Sequence, residues 1–571
     1  MGNGIHLSHA EAFVESLNGL GVDHIFFNPG GTVYPIQGAI SQYKAMGKQA
    51  PKVILCTHES VAVAAAHGYA MVSGKPQVVL VFDHVGIYQG GGQIVNMSFG
   101  RMPVVLVSGV GSTHDRLNWL QEPCDQRSIT RDYVKWDHKV QAGENMTSVL
   151  EEAFRVASTE PCGPVCLSIP LNIQQEKTGE LNVTAPIKSG KGPEIEMGTL
   201  QRVADRLVRS QNPIVLTAYS GRHPQSVEAL VELAETLAMR VITTDRTMNF
   251  PSTHPLCPGI DEGKGRFDHY IDEADLLLLI DYDFPGHQEK KAPRKETQII
   301  HIDIEALKRG KPIWGRTPDV LIEGDSSKIL PALSEVVRGR LMGKPDPRFR
   351  DRFNRLKDEH RKLRDMWRSK AMNEADQKPI SPEWLAYCLN EIMDEEDILV
   401  QQAPSNTSAM VHQVPRTKPG TLYGWGNKID ISGGSMGWPL GAGFGAKLAA
   451  PDRRVVSLIG DGGFIYGSPV ATLWGASAYN APFLTIVCNN QRYNAITEGM
   501  RKRYGEETVS GEKGFEIGAE FRTPPDYALI AKACNAYGQT VEDPDELLSA
   551  LKNGVDQVQR GKPAVVNVRQ R

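Results

Sequence analysis

The regular alternation of short β-branched segments with longer helical patterns is the feature of this sequence that most constrains its fold. A buried parallel strand is apolar on both faces and needs a crossover helix to reach its neighbour. The alternation therefore predicts an α/β fold of parallel sheets, and not a sandwich or a helix bundle. The expected strands are Lys52 to Cys56, Gln77 to Phe82, Pro103 to Ser108, Pro164 to Ser168, Ile214 to Thr217, Val241 to Thr244, Leu276 to Asp281, Gln298 to Asp303, Ile398 to Val400, Arg454 to Ile459, Phe483 to Cys488 and Ala564 to Val568.

Breaks in this alternation divide the chain into three α/β domains. A Pro-, Gly- and Lys-rich passage from Pro186 to Pro193 is typical of a linker and follows the first series of strands. A highly charged stretch from Arg348 to Lys370 has apolar residues at helical spacing, which predicts a surface connector helix. The expected divisions are a first domain over 1–185, a central domain over 195–342, the connector over 343–378 and a third domain over 379–571.

Composition and charge exclude several classes of protein. The 63 basic residues nearly balance the 67 acidic ones, for a net charge of −4, so no field of one sign exists to hold nucleic acid. No run approaches the roughly 20 apolar residues that span a bilayer, so no membrane partner is expected. The eight cysteines are scattered singly, as reduced thiols usually are, and the N-terminus lacks the apolar stretch of a signal peptide. We therefore expect a soluble, cytoplasmic protein.

The strongest chemical signal follows two neighbouring expected strands. Asp461 and Gly462 belong to a Gly-Asp-Gly-Gly segment directly after one strand, and Asn489 and Asn490 end the next, with 26 residues between Gly462 and Asn489. Ligands of open parallel sheets bind beyond the carboxyl ends of the strands, so a carboxylate and an amide oxygen can converge there on one hard cation. Alone, the glycine-rich segment is more often a tight turn. Together with the asparagine pair it favours a metal and phosphate site.

This arrangement resembles the cofactor fingerprint of the thiamin diphosphate-dependent enzymes, specifically the superfamily of acetolactate synthase, benzoylformate decarboxylase and pyruvate decarboxylase. The resemblance covers nearly the whole chain. It implies three doubly wound parallel-sheet domains of the thiamin diphosphate-binding fold, the first binding the pyrimidine and the third binding the diphosphate and Mg²⁺. It implies that Asp461, Asn490 and the backbone carbonyl of Arg492 bind magnesium, with Gly462 and Gly463 facing the diphosphate.

A second fingerprint of the family is a glutamate in the first domain, and Glu59 lies between an expected strand and an Ala-rich helical pattern. The resemblance implies that Glu59 hydrogen-bonds N1′ of the aminopyrimidine and stabilises the imino tautomer that generates the nucleophilic ylide. In an apolar pocket the pKa of such a carboxylate should rise, which allows it to share a proton with the ring nitrogen. Without the other motifs, Glu59 would be interpreted as an exposed acid at a helix N-terminus.

Two further segments resemble cofactor contacts of the family. In the segment SGGSMGWPLGAGFGA, the resemblance assigns Met436 as the wedge that bends the cofactor into a V and the Gly434 carbonyl as the acceptor for the 4′-amino group. A methionine at the start of a Gly-rich helix is otherwise usually core filler. Ser405, Asn406 and Thr407 fall where family members hold diphosphate oxygens, although the same residue types also cap helices.

The substrate side of the site resembles acetolactate synthases in two places. The segment FFNPGGTVYPI implies that Gly31 and Thr32 lie near the reacting carbon, and NWLQEPCDQRSITRDYVKWDH implies that Gln121 approaches the substrate. Where acetolactate synthases carry a Gly-Pro-Gly turn, this chain has His84, whereas the histidine of benzoylformate decarboxylases aligns with Phe82. His84 is either a proton donor or substrate contact, or a histidine that only supports its neighbours.

Acetolactate synthases also bind a flavin at a glycine-rich turn in the central domain. The corresponding turn here, Ala218 to Arg222, is a poor match, so FAD is doubtful and an ordinary strand-to-helix turn is preferred. The sequence leaves flavin, ADP or no ligand open for this domain.

These features predict thiamin diphosphate- and Mg²⁺-dependent decarboxylation of a 2-oxo acid, with carboligation of the resulting enamine to a second small-molecule carbonyl. The alternatives are a 2-oxo acid decarboxylase, a carbon-carbon lyase acting on a 2-hydroxy ketone or acyl thioester, and a non-catalytic, cofactor-binding regulatory subunit. The resemblance implies a homodimer or homotetramer in which Glu59 of one chain meets Asp461 of another.

Overall fold

The computed structural model describes residues 7–114, 125–177, 195–260, 265–283, 293–307, 317–342, 346–425, 434–505 and 518–570. Within these residues the strands form three sheets of six, five and six strands, and the strand pairs are parallel. The predicted α/β class of parallel-sheet domains is therefore confirmed. Each sheet is covered by helices, and its central strands are mostly apolar runs buried on both faces, as parallel strands require.

The first sheet has the strand order β2-β1-β3-β4-β6-β5. Its strands are β1 His24–Phe27, β2 Lys52–Leu55, β3 Gln77–Phe82, β4 Val104–Val110, β5 Trp136–Lys139 and β6 Val165–Pro170.

The second sheet has the order β11-β10-β9-β7-β8. Its strands are β7 Pro213–Thr217, β8 Arg240–Thr243, β9 Leu276–Ile280, β10 Gln298–Asp303 and β11 Val320–Glu323.

The third sheet has the order β13-β12-β14-β15-β17-β16, which repeats the topology of the first sheet strand for strand. Its strands are β12 Ile398–Gln402, β13 Leu422–Gly424, β14 Val455–Gly460, β15 Leu484–Asn489, β16 Tyr537–Val541 and β17 Ala564–Arg569.

The helices connect successive strands and cover both faces of the sheets. They are α1 His9–Gly19, α2 Tyr34–Ala45, α3 Glu59–Ser73, α4 Asp83–Phe99, α5 Arg127–Thr130, α6 Met146–Ser158, α7 Leu171–Gln175, α8 Met197–Arg209, α9 Pro224–Leu237, α10 Asp268–Glu273, α11 Ser326–Leu341, α12 Pro347–Asn373, α13 Pro382–Asn390, α14 Thr407–Gln413, α15 Trp438–Ala449, α16 Asp461–Tyr466, α17 Pro469–Ala478, α18 Asn494–Tyr504, α19 Tyr527–Ala533 and α20 Pro544–Gln559. Among the helices described here, none is long and apolar enough to cross a membrane.

Five strands were not expected from the sequence: β1, β5, β11, β13 and β16. Four of them lie at sheet edges, where one side is open, so their sequences lack a continuous apolar run. The fifth strand, β1, is internal and apolar, but it has only four residues. Its two phenylalanines were assigned to the glycine loop that follows, so no strand was predicted there.

Helices α3 and α15 join the first domain to the third through a contact between small residues. Backbone approach is so close that a methyl group on Gly68 would overlap the carbonyl of Ala442, and one on Gly445 would overlap the carbonyl of Ala65. Glycine is required at these positions because any Cβ would push the helices apart. The packing fixes the helix that begins at Glu59 against the helix that follows Met436.

Helix α12 connects the second domain to the third. The guanidinium of Arg352 is buried and donates to the backbone carbonyls of Ala238 at 3.0 Å and Gln211 at 2.7 Å. Nearer its C-terminus, the indole of Trp367 stacks on His412 with ring centroids 4.6 Å apart, and its carbonyl accepts from Gln413 at 2.7 Å. The helix therefore packs against both neighbours with the apolar side of an otherwise charged sequence.

Candidate active site

The residues that the sequence singled out for chemistry lie at the carboxyl edges of the two outer sheets. Glu59 follows β2, His84 follows β3, Asp461 follows β14 and Asn490 follows β15. In open parallel sheets this edge is where ligands bind, because the loops there leave a crevice and helix N-termini point into it. Topology thus groups His84 with Glu59, and Asp461 with Asn490.

Glu59 is the first residue of α3 and is only 9% exposed, so it is not the exposed helix acid of the alternative interpretation. The preceding residue, His58, caps the helix by accepting from the backbone N–H of Ser60 at 3.1 Å. One carboxylate oxygen of Glu59 faces Gly86 of α4, where an added Cβ would lie 3.4 Å from Oε1. The carboxylate therefore lies between the first turns of two helices.

His84 is held by the residue before it. Its Nδ1 lies 3.0 Å from Oδ1 of Asp83, and its backbone N–H donates to the same oxygen at 2.7 Å. Asp83 is fully buried, whereas the imidazole of His84 is partly exposed. The side chain of Gln126 donates to Asp83 Oδ1 through a short hydrogen bond. Sequence reasoning found His84 but missed Asp83 and Gln126.

The glycine loop after β1 lies beside this cluster. The aromatic ring of Phe82 covers Gly30 so closely that no side chain would fit there, while Gly31 has open space around its α-carbon. Thr32 is buried, its carbonyl accepts from Gln174 at 2.7 Å, and its hydroxyl has no hydrogen-bond partner in the described structure. Gln121, the fourth residue expected near the substrate, lies outside the described residues.

Asp461 is buried and both of its carboxylate oxygens accept backbone hydrogen bonds. Oδ1 accepts from Gly462 at 2.8 Å, and Oδ2 accepts from Gln491 at 2.6 Å. Burial raises the pKa of Asp461 to about 6, and these two N–H groups only partly offset that effect. A nearby cation would favour the charged carboxylate, so the environment suits a metal ligand.

Asn490, the second residue of the asparagine pair, lies in the loop that follows β15. Asn490 Oδ1 accepts from the backbone N–H of Arg492 at 3.2 Å, in the loop that also reaches Asp461. Gln491 has a φ of +58°, which reverses the chain there and brings its N–H to Asp461. The loop is fixed by a backbone bridge between Arg492 and Glu520. This geometry brings the predicted ligands Asp461, Asn490 and Arg492 to one loop cluster.

The glycines after Asp461 are needed for close packing. A Cβ on Gly462 would collide with the ring of Tyr493, and one on Gly463 would lie 3.1 Å from the side chain of Ile459. Across the crevice, Ser405 Oγ accepts from Asn494 at 3.3 Å, which connects the loop after β12 to the loop after β15.

Asn406 and Thr407 begin α14. Asn406 is buried, and its amide oxygen has no hydrogen-bond partner among the described residues. Thr407 donates to the carbonyl of Ala403 at 3.3 Å. The orphaned amide oxygen of Asn406 is an acceptor that only a donor from outside the described structure can satisfy.

The segment before α15 is fixed by α4 of the first domain. Gly434 and Gly437 have φ angles of +78° and +81°, which only glycine adopts without strain. Asn96 donates to the carbonyl of Ser435 at 2.9 Å, and Gln93 donates to the carbonyl of Met436 at 3.0 Å. The sequence alone did not indicate Gln93 or Asn96, because only their contacts across the domain boundary distinguish them.

The donor set of this crevice fits magnesium and a diphosphate. One carboxylate, one amide oxygen and a backbone carbonyl are the hard ligands that Mg²⁺ prefers, and Mg²⁺ commonly completes its shell with phosphate oxygens and water. No group of three or more His, Cys, Asp or Glu side chains that could hold a metal occurs in the described ranges, so the ion would need such additional ligands. Asp461, Asn490 and Arg492 would hold the ion, and Ser405 to Thr407 would face the phosphates.

The turn after β7 in the central domain differs from a glycine-rich nucleotide loop. The ring of Tyr219 contacts two guanidinium groups, with ring-centroid distances of 4.0 Å to Arg101 and 4.8 Å to Arg246. Arg222 pairs with Asp281 at 2.7 Å. A Cβ on Gly221 would collide with the carbonyl of Met248. The turn borders a cavity of about 490 Å³ that Arg101, Tyr219, Arg222 and Arg246 help to line.

Two outer sheets of one topology, with a buried glutamate at one carboxyl edge and an Asp/Asn loop cluster at the other, define a cofactor-dependent α/β enzyme. Three family models match the chain: thiamine pyrophosphate enzyme, N-terminal TPP binding domain, over residues 7–129; central domain, over 200–333; and C-terminal TPP binding domain, over 405–568. The chain belongs to the thiamine pyrophosphate enzyme family.

Curated relatives match almost end to end. A probable acetolactate synthase large subunit of Methanocaldococcus jannaschii is 27% identical, covering 96% of this chain and 89% of the relative. The acetolactate synthase isozyme 3 large subunit of Escherichia coli is 25% identical, covering 98% and 94%. The benzoylformate decarboxylase of Pseudomonas aeruginosa is 26% identical, covering 95% and 96%.

Among solved structures, a thiamine diphosphate-dependent 4-hydroxybenzoylformate decarboxylase from Rhodococcus jostii RHA1 superposes with a TM-score of 0.80. It is 20% identical to this chain and 99% of each chain is covered, which establishes a common fold.

Proposed function

We propose that this protein is a thiamin diphosphate- and Mg²⁺-dependent enzyme that decarboxylates a 2-oxo acid and joins the remaining acyl unit to a second carbonyl. The observation that carries the proposal is the pair of carboxylates at matching sheet edges: Glu59, buried between two helices, and Asp461, buried beside the loop of Asn490. The acetolactate synthase relatives, at 25–27% identity over nearly the whole chain, favour carboligation.

The third domain would bind the charged end of the cofactor. Asp461, Asn490 and the carbonyl of Arg492 would hold Mg²⁺, and the backbone of Gly462 and Gly463 would face the diphosphate. The hydroxyl of Ser405 accepts from Asn494 and keeps its own proton, which it could donate to a phosphate oxygen. A buried carboxylate with a pKa of about 6 becomes fully ionised when the metal binds, which couples metal and cofactor binding.

The first domain would bind the pyrimidine end. When bound, thiamin diphosphate supplies a nucleophilic carbon that adds to the substrate carbonyl and stores the electron pair released with carbon dioxide. Glu59 would hold a proton at N1′ of the pyrimidine. Met436 would bend the cofactor, and the Gly434 carbonyl would accept from its 4′-amino group. Gly31, Thr32, His84 and Gln121 would border the substrate.

The active unit is proposed to be a dimer or tetramer. Large apolar side chains are exposed immediately after the site residues on both domains: Val85 and Tyr88 are 46% and 63% exposed, and Tyr466 and Val470 are 55% and 60% exposed. Exposed apolar surface of this kind is typical of an interface between chains. Joining these surfaces between two copies would bring Glu59 of one chain to Asp461 of the other.

A second candidate function is simple decarboxylation to an aldehyde. His84 favours it, because a partly exposed imidazole that would border the substrate could supply the proton that an aldehyde product gains in place of the carboxylate. The benzoylformate decarboxylase relative, at 26% identity, supports the same reading.

The central domain is proposed to work without flavin. The reason is the sequence of the turn after β7, where Tyr219 and Arg222 stand in place of a glycine-rich loop.

The deciding experiment incubates the purified protein with Mg²⁺, thiamin diphosphate and a panel of 2-oxo acids. Carbon dioxide release and product mass are followed by mass spectrometry. Release that disappears in Glu59→Gln supports the proposal, and the product mass distinguishes carboligation from aldehyde formation. If cofactor binds but no 2-oxo acid is consumed, decarboxylation is wrong, and a 2-hydroxy ketone or acyl thioester lyase or a non-catalytic subunit takes its place.

The matched control is Glu383→Gln. Glu383 is also a buried glutamate in the first turn of a helix, but its partners are His412 and Gln413 of the third domain and Lys370 of the connector helix α12. This variant should lose stability and keep turnover per folded molecule, whereas Glu59→Gln should keep stability and lose at least 100-fold in kcat.

A further inference from the structure

Asp83 is a buried acid that directly follows β3, an internal strand of the first sheet. The chemistry described above does not use it. It is 0% exposed and is the first residue of α4, directly after β3. Its Oδ1 accepts from the backbone N–H of His84 and from the side chain of Gln126, and it lies 3.0 Å from Nδ1 of His84. Its Oδ2 is buried and has no hydrogen-bond partner among the described residues.

The backbone of Asp83 is also unusual. Its φ is +48°, in the left-handed region that non-glycine residues rarely adopt. The carbonyl of Asp83 accepts from the hydroxyl of Ser108 at 3.1 Å, which holds this conformation in place. Strained backbone of this kind persists where surrounding contacts fix it, and it is concentrated at functional sites.

The contacts of Asp83 determine which nitrogen of His84 carries the proton. Oδ1 of Asp83 already accepts from the backbone N–H of His84 and from the amide of Gln126, so it acts as an acceptor, and Nδ1 of His84 is the donor in the 3.0 Å contact. A neutral imidazole has one N–H, and its other nitrogen, Nε2, is then an acceptor. No hydrogen bond to Nε2 is made within the described part of the chain, and the imidazole remains partly exposed.

His84 lies in the same turn of α4 as the residue that faces Glu59. Gly86, two residues after His84, is the residue that faces Glu59 Oε1. Asp83 and Gly86 therefore flank His84 in the first turn of α4. This turn lies at the carboxyl edge of the first sheet, which the substrate is proposed to occupy.

We propose that Asp83 is a positioning residue that, supported by Gln126, holds His84 with its proton on Nδ1 and presents Nε2 to the substrate. This inference rests on the proposed function and specifies which group of the chain exchanges a proton with the substrate. Nε2 takes up a proton from solvent, and the imidazolium charge is offset by the Asp83 carboxylate. Nε2 gives this proton to the keto oxygen of the bound 2-oxo acid as that oxygen becomes a hydroxyl, and takes it back when the carbonyl of the product re-forms, so no reactant other than water is needed.

A double-mutant cycle on turnover of a 2-oxo acid tests the proposal. His84→Gln should lower kcat by about 100-fold or more, and Asp83→Asn by about 10- to 100-fold, with KM and the affinity for thiamin diphosphate changed less than about threefold. Asparagine tolerates a positive φ, so Asp83→Asn keeps the backbone. Because Asp83 acts through His84, the double variant should be no slower than His84→Gln alone. Losses that multiply in the double variant would overturn the proposal.

A second readout does not depend on turnover. In protein labelled with ¹³C and ¹⁵N at histidine, the ring shifts of His84, assigned by their loss in His84→Gln, report the tautomer. The expected result is Nδ1–H in the wild type and a shift toward Nε2–H in Asp83→Asn. An unchanged tautomer in Asp83→Asn would overturn the proposal. If the wild type consumes no 2-oxo acid, the proposed function fails, and this measurement still decides the role of Asp83.

The matched control is Asp281→Asn. Asp281 is also fully buried, has a φ of +46° and follows a strand end, but it belongs to the second sheet, where it pairs with Arg222 at 2.7 Å. This variant should lower the melting temperature and leave the tautomer of His84 unchanged. A change of the His84 tautomer in Asp281→Asn would show a general effect of lost buried charge and would overturn the specific role of Asp83.

Discussion

Asn489 and Asn490 are adjacent in the chain, but their side chains belong to different parts of the protein. Asn489 is the last residue of β15 and its amide donates to Asn567 of the neighbouring strand β17 at 3.0 Å. Asn490 is the first residue of the loop, and its amide oxygen accepts from the backbone N–H of Arg492. Successive residues of a strand point to opposite sides, which separates a structural asparagine from a candidate ligand.

This division predicts opposite effects of two alanine substitutions. Asn490→Ala should leave the melting temperature of the cofactor-free protein within about 1–2 °C of wild type, because a single, partly buried hydrogen bond contributes little. It should abolish the rise in melting temperature on adding Mg²⁺ and thiamin diphosphate together, because a ligand that binds only the folded state stabilises it in proportion to its affinity. Differential scanning fluorimetry with and without EDTA measures both effects.

Asn489→Ala is the control for that pair. It should lower the melting temperature by several degrees, because it leaves the buried amide of Asn567 short of a partner. The stabilisation by Mg²⁺ and cofactor should remain. Loss of cofactor stabilisation in Asn489→Ala but not in Asn490→Ala would contradict the assignment of the ligand.

Substitution of Gly445 should destabilise the contact between the first and third domains. Gly445→Ala forces a methyl group against the carbonyl of Ala65, so α3 and α15 must separate, at a cost of about 1–3 kcal/mol. Gly38→Ala is the control, since Gly38 lies within α2 with nothing within 4 Å of an added Cβ. It should be neutral or stabilising by up to about 1 kcal/mol. Urea unfolding of both variants checks this, and equal midpoints would argue against close packing as the requirement.

The stability contribution of Glu383 should depend on pH. Burial acts to raise its pKa, but hydrogen bonds from His412, Gln413 and Lys370 outweigh it and lower the pKa of Glu383 to about 2. A carboxyl whose pKa is lower in the folded state stabilises the protein fully above its unfolded pKa, about 4.3, and progressively less as the pH falls toward 2. The difference in melting temperature between wild type and Glu383→Gln should therefore be largest near pH 7 and shrink below about pH 4. A difference that grows on acidification would contradict the ion-pair assignment.

Purified protein should lack the visible absorbance bands of a flavin. The reason to expect this is that the turn after β7 carries Tyr219 and Arg222 in place of a glycine-rich loop. The acid-released fraction should show no flavin fluorescence, and adding FAD should leave turnover unchanged. Stoichiometric flavin in the released fraction would show that these side chains rearrange around a nucleotide.

Much of the architecture could be predicted from local patterns. Apolar runs such as Gln77–Phe82 and Gln298–Asp303 were expected with the ends that the structure gives them, since a buried parallel strand needs a continuous apolar run. Edge strands such as Trp136–Lys139 were missed because their residues are only half-buried. The placement of Asp461 and Asn490 at neighbouring strand ends followed from their position after those runs.

Other parts of the site could not be predicted, because they depend on contacts between residues far apart in the chain. Gln126 reaches Asp83 over 43 positions, and Asn96 reaches Ser435 over 339. No sequence spacing encodes such a pair, and neither glutamine nor asparagine carries a local signal that marks it as supporting a site.

By itself, the sequence determined the class of fold, the strand ends and the chemical groups available at them, because chain geometry and side-chain polarity act locally. Only the tertiary structure decided that Asp83 is buried in a left-handed conformation with His84 on its carboxylate, and that α4 fixes the Ser435–Met436 segment. Those outcomes depend on which helices pack together, and the packing is set by close contacts such as Gly445 on Ala65, which form only when distant segments meet.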